Sequence, residues 1–138
     1  MKRRDFVTKT GVAVAGISAV GATPLYPLKK DVVRIGVIGT GSRGGGLISH
    51  INSIQGLEVA ACCDVLPFRL EKGLAKVEGK AKPYSDYRAL LDNPAIDAVL
   101  IATPMSEHAH FAIDALDAGK NVYCEKTMVK GYTAIKHV

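Results

Sequence analysis

Gly39-Thr40-Gly41-Ser42-Arg43-Gly44 has the spacing GxGxxG, set between an apolar, β-branched run at residues 32–38 and a helix-period pattern. That order, strand then glycine turn then helix, gives the motif its chemistry. Gly39 permits the tight turn out of the strand, Gly41 lets a pyrophosphate approach the backbone, and Gly44 lets the helix pack close to the strand. The free N–H groups and positive dipole end at the helix start then face phosphate oxygens. Twenty residues after Gly44, Asp64 closes a second apolar run, Leu57–Cys63. A carboxylate there can accept hydrogen bonds from the adenosine ribose hydroxyls and repels a 2′-phosphate. The nearest arginine after it is Arg69, so the expected cofactor is NAD rather than NADP. A turn or N-cap role for Asp64 before the next helix is compatible with that reading.

The elements that must position these residues alternate along the chain. A helix is expected over residues 43–54, with Leu47, Ile48, Ile51 and Ile54 on one face and His50 off it. Pro67 suits the first turn of a second helix, residues 67–79, with Leu70, Leu74 and Val77 as its stripe and Gly73 a cost of about 1 kcal/mol. Lys82–Tyr84 makes at most a short edge strand, since Pro83 lacks a ladder donor. Ser85 or Asp86 caps a short helix through Leu91. Residues 96–103 read as a central strand buried on both faces, broken by Pro104. A helix over 106–118 follows, with Ala109, Ala112, Ile113 and Leu116 as its stripe. A fifth strand, Asn121–Cys124, ends in Glu125-Lys126, and a further helical pattern starts at Thr133. This alternation predicts an α/β, Rossmann-type, doubly wound parallel sheet. Its ligand lies off the C-terminal strand ends, where Gly39–Gly44, Asp64, Thr103-Pro104 and Glu125-Lys126 all fall.

Composition narrows the partners. The 138 residues are 48% hydrophobic and 22% charged, as expected of a globular domain. The net charge of +5 is concentrated in the first 22 residues, which hold four basic residues and one acid. No basic face with interleaved aromatics exists, so no nucleic-acid partner is expected. Cys62, Cys63 and Cys124 have neither CxxC nor zinc spacing and read as buried reduced thiols, so no metal is expected. Cys62 and Cys63, adjacent in one strand, should face opposite sides of the sheet.

Residues 1–30 read as an address. A basic start is followed by a mildly apolar, glycine-rich stretch at 11–22 and by Val20-Gly21-Ala22, small or compact residues where a signal peptidase would cut. Arg3-Arg4 followed by Phe6-Val7 resembles the twin-arginine export motif. The stretch is too short and too weakly apolar for a stable membrane span. The protein is expected to be exported to the periplasm, with its cofactor bound in the cytoplasm beforehand, and its dinucleotide-binding domain to occupy residues 31–138.

Residues 32–44, the run Asp97-Ala98-Val99-Leu100-Ile101-Ala102-Thr103-Pro104 with His108, the run Ala115 to Val122 containing Ala118-Gly119-Lys120, and Glu125-Lys126 resemble the N-terminal domain of the Gfo/Idh/MocA oxidoreductases. These include glucose–fructose oxidoreductase and inositol dehydrogenase. The resemblance implies NAD(P)-dependent hydride transfer on sugars, polyols or cyclitol-like substrates. It places Gly39, Thr40, Gly41, Ser42, Arg43 and Gly44 at the pyrophosphate and Asp64 at the ribose. Thr103, Pro104 and His108 would line the nicotinamide side. Lys126 would stand beside the reacting carbon, with Glu125 as an orienting group. On the residues alone, His108 is also readable as a first-turn helix residue and Lys126 as a surface lysine. Thr127 replaces the family's usual proline after the Glu-Lys pair, which loosens the expected hold on Lys126. The family carries its substrate pocket and acid–base residues in a second α/β domain, and is commonly oligomeric through it. The chain is expected to be cut short of that domain and inactive alone. Two alternatives remain: a related NAD-dependent glycoside hydrolase, which tends to lack the Glu-Lys pair, and a free-standing dinucleotide-binding module.

Overall fold

The computed structural model describes residues 32–128. The export-signal reading and the helical pattern from Thr133 lie outside the described residues. Five strands, β1 (Val33–Ile38), β2 (Leu57–Cys63), β3 (Lys82–Tyr84), β4 (Ala98–Ile101) and β5 (Asn121–Cys124), form one sheet in the order β3-β2-β1-β4-β5. Every pairing is parallel. Four α-helices join them: α1 (Ser42–Asn52), α2 (Pro67–Leu74), α3 (Tyr87–Leu91) and α4 (His108–Asp117), the last preceded by a 3₁₀ turn at Met105–Glu107. The chain runs outward from β1 through β2 to β3, then crosses back to β4 beside β1. This reversal is the switch point, where parallel sheets of this type open a crevice beyond the strand ends.

The core lies in two layers. On one face Ile35, Val37, Val59, Cys62 and Leu100 pack with Ile48 and Ile51 of α1. On the other Ile38, Ala61, Cys63, Val99 and Ile101 pack with Leu90, Leu91, Ala112 and Ala115. Cys62 and Cys63 thus fall in opposite layers, as the two-residue strand period requires. Burial pushes both thiols up to about 12.

The elements differ from the sequence reading chiefly at their ends. α2 stops at Leu74 rather than near residue 79, although Leu70, Leu74 and Val77 do pack on the sheet. Asp86, not Ser85, caps α3 by accepting from the Arg88 N–H. β4 is shorter than the apolar run containing it. The stripe on α4 is rotated from the expected one. His108, Ala112 and Ala115 face inward, while Leu116 is 52% exposed. Alanines let α4 lie close against β4 and β5, and the bulkier leucine is turned outward. Lys120 is a structural residue, its Nζ donating to the carbonyls of Asn93 and Ile96 at 2.8 and 3.0 Å.

Candidate active site

The glycine turn is built by contact. Gly39 has φ +89°, the left-handed region that glycine adopts without strain. A Cβ on Gly44 would lie 1.8 Å from the Gly39 carbonyl oxygen, so only glycine lets α1 start this close to β1. Gly41 is different. A Cβ there would meet nothing nearer than the Arg69 side chain at 3.9 Å. The space in front of it is open, and the N–H groups of the first turn of α1 have no intrahelical partner. No acidic residue occupies that turn.

Asp64 is 9% exposed and braces the turn. Its Oδ2 accepts from the Thr40 N–H at 2.9 Å, and its Oδ1 accepts from the Leu66 N–H at 3.0 Å. Asp64 thus fills the turn role rather than the cap, since the helix after it is capped at Leu66 without a side-chain bond, and its carboxylate keeps further lone pairs able to accept from hydroxyls. Thr40 in turn donates to the Arg69 carbonyl and packs on Gly73, where a Cβ would lie 2.5 Å from the Thr40 Cβ. The glycine that the helix pattern made costly is what seats α2 against the turn.

Two cavities meet at the switch point, with Ala102 and Thr103 shared between them. The first, about 520 Å³, is lined by Gly39, Gly41, Asp64, Arg69, Thr103 and Pro104. It has an aromatic wall that sequence reasoning missed, Tyr87, His110 and Phe111. Tyr87 and Phe111 meet edge to face at 4.5 Å, and the Tyr87 hydroxyl bonds Asp114 and His110. Burial, then the Asp114 hydrogen bond, push the Tyr87 phenol up to about 12. The wall comes from two separate helices, so no local spacing announces it.

The second cavity, about 900 Å³, is lined by Arg43, Thr103, His108, Tyr123, Glu125 and Lys126 among others. Glu125 is 8% exposed and accepts from Arg43 Nη2 at 2.7 Å. That hydrogen bond holds the carboxyl below the usual carboxylate range, against burial, and raises the Arg43 guanidinium. Arg43 thus links the glycine-turn helix to the end of β5. Lys126 is exposed at the rim. His108 is 2% exposed, with Nδ1 2.8 Å from the Thr127 carbonyl and Nε2 2.9 Å from the Thr103 carbonyl. It ties the end of β4 to the residue after Lys126. That contact supplies a hold on Lys126 where proline is missing. The Lys126–Thr127 peptide is cis.

The residues present fit a dinucleotide. Gly41 leaves a cradle that a Cβ would enter, and the buried Thr103 hydroxyl has no hydrogen-bond partner at the junction of the two cavities. Ser42 is exposed on a third hollow beside the turn. No cluster of His, Cys, Asp or Glu able to hold a metal occurs among the described residues, and none of the described helices is long and apolar enough to cross a membrane.

Comparison with known proteins agrees with this geometry. A glycosyl hydrolase family 109 protein from Shewanella pealeana is 34% identical over 151 residues, covering 91% of this chain and 33% of that protein. The crystal structure of myo-inositol dehydrogenase from Lactobacillus casei, in complex with NAD(H) and myo-inositol, superposes with a TM-score of 0.73 at 33% identity. It covers 76% of this chain and 31% of that one. A 3-ketoreductase from Actinomadura kijaniata in complex with NADP gives a TM-score of 0.68 at 26% identity, over 76% of this chain and 33% of that one. The chain thus spans about a third of the length of these relatives. The model of the Gfo/Idh/MocA oxidoreductase family, NAD-binding Rossmann fold, matches residues 33–138, and the chain belongs to that family.

Proposed function

We propose that this chain is the cofactor-binding part of a dehydrogenase that moves a hydride between NAD and a sugar, polyol or cyclitol. The observation that carries the reading is the position of Lys126 at the end of β5. It lines the same cavity as Thr103, which also borders the dinucleotide crevice. The nicotinamide supplies the hydride chemistry when bound. The ammonium of Lys126 polarises or orders the substrate oxygen as charge develops there. Glu125, held by Arg43, and His108, bridging Thr103 and Thr127, position the segment that carries Lys126. The NAD(H)- and myo-inositol-bound relative supports the substrate class.

The test is turnover by the complete gene product, with NAD and a panel of inositols and sugars, read as NADH absorbance. Lys126→Met should abolish turnover while leaving the NAD dissociation constant nearly unchanged. Full turnover in that variant would refute the role. A glycoside hydrolase is the second reading, favoured by the family 109 relatives. It predicts release of an aryl leaving group from a glycoside without net NADH, whereas the Glu125-Lys126 pair favours the dehydrogenase.

A further inference from the structure

Arg43 stands in the first turn of α1, where the free N–H groups are, and no acidic residue shares that turn. A cation there works against the helix dipole. Its counter-charge comes from the end of β5, with Nη2 reaching Glu125 Oε1 at 2.7 Å. The two partners are held very differently. The Glu125 side chain is 9% exposed and its N–H is fixed to the Ile101 carbonyl at 2.9 Å, so the sheet sets where the carboxylate lies. The Arg43 side chain is 63% exposed, and among the described residues it makes no other hydrogen bond. A guanidinium carries five N–H donors in a rigid fork, so most of them are uncommitted. Arg43, Glu125 and Lys126 line one cavity. The Arg43 hydrogen bond is the main hold on the Glu125 carboxyl below its usual range, and the Lys126 N–H and ammonium add to it. The carboxylate thus has a second cation at hand.

The geometry points to Arg43 as a switch between two anions, Glu125 in the empty site and the pyrophosphate of the dinucleotide in the loaded one. Its departure leaves Glu125 to draw in the Lys126 ammonium, so cofactor binding sets the lysine before substrate arrives. The inference rests on the reading of the glycine turn as the pyrophosphate site and of Lys126 as the group beside the substrate oxygen. A buried carboxylate left without a cation is strongly destabilising, which is what moves Lys126 when Arg43 leaves. Lys126 is exposed at the rim and has room for that movement. One ion pair breaks and two form, Arg43 with phosphate and Lys126 with Glu125. Arg43 is a positioning residue in this scheme, acting on Lys126 through Glu125.

The test is calorimetric titration of the full chain with NAD and with ADP-ribose, which carries the pyrophosphate and no nicotinamide. Because Glu125 competes for Arg43, Glu125→Gln should tighten both ligands by about threefold or more. Arg43→Ala should weaken both by about tenfold. With Arg43→Ala already present, Glu125→Gln should add nothing, since the competition requires both residues. A carboxylate that only supports the fold predicts weaker binding in Glu125→Gln instead. A cooperative thermal transition checks that each variant folds. If Glu125→Gln does not fold, Glu125→Asp, which withdraws the carboxylate by one methylene, reads the same gain. The lysine is followed by reductive methylation and mass spectrometry. Saturating ADP-ribose should slow modification of Lys126 by about threefold or more in the unmodified protein, and not at all in Glu125→Gln. Weaker or unchanged binding in Glu125→Gln, an equal gain with Arg43→Ala present, or a Lys126 rate indifferent to ADP-ribose overturns the inference. Failure of both ligands to bind the unmodified protein overturns the dinucleotide site instead, and full turnover in Lys126→Met overturns the role of the lysine.

Discussion

Gly41 and Gly44 belong to one motif, yet the structure separates what each does. In Gly44→Ala, the new Cβ lies 1.8 Å from the Gly39 carbonyl oxygen. Helix and strand must part by about 1 Å or more, in an interior that does not yield easily. Overpacking of this kind costs about 1–3 kcal/mol, and rigid backbone on both sides places this site at the upper end. For a domain of this size the thermal midpoint should fall by roughly 10 °C or more. Gly41 has φ −60°, which alanine adopts freely, and no protein atom closer than 3.9 Å to the new Cβ. Gly41→Ala should change stability by no more than about 0.5 kcal/mol. It should still weaken NAD binding, because the methyl enters the pyrophosphate cradle and displaces one or two charge-assisted hydrogen bonds. At about 1.5–3 kcal/mol for one such bond, the loss is about tenfold to hundredfold in affinity. Thermal unfolding and NAD titration of the two variants side by side read both quantities. The reasoning fails if Gly41→Ala unfolds as early as Gly44→Ala, or if it binds NAD as tightly as the unmodified protein.

Three further outcomes follow from the geometry. A thiol reagent at mildly alkaline pH should label Cys124, which is half-buried, long before Cys62 and Cys63, whose thiols are buried and pushed up to about 12; denaturant should equalise the three. Glu125 is held below the ordinary carboxyl value of 4.5, so its contribution to stability is complete above that value and is lost as pH falls through its folded pKa. A thermal-midpoint series on the acid side should therefore show a steeper fall for the unmodified protein than for Glu125→Gln. Arg3→Lys with Arg4→Lys should keep a folded reporter fused to residues 1–30 in the cytoplasm, and unaltered export would remove the twin-arginine reading.

The fold, the glycine turn and the carboxylate beside it were legible because their signals are local. A glycine turn between a strand and a helix, or a carboxylate closing a strand, is written in a few adjacent residues. The aromatic wall was not legible, since Tyr87 and Phe111 meet only after α3 and α4 pack together. Gly73 looked like a defect because its partner, Thr40, is distant in sequence. On α4, hydrophobicity suggested that Leu116 was the inward residue, but the close approach to the sheet selected the alanines.

The sheet order also bears on how the site is assembled. β1 pairs with β2, β2 with β3 and β4 with β5 across one helical excursion each, whereas Ile35 meets Ala98 about sixty residues further along the chain. Closing that longer span costs about 1 kcal/mol more in chain entropy than closing any of the others. The joint between β1 and β4 is also where the crevice opens, with Gly39 against Ala102. During synthesis, the glycine turn must therefore wait for β4 to emerge before the crevice has a second wall. A dinucleotide lying across it clamps the early and late stretches of the chain at their most expensive seam.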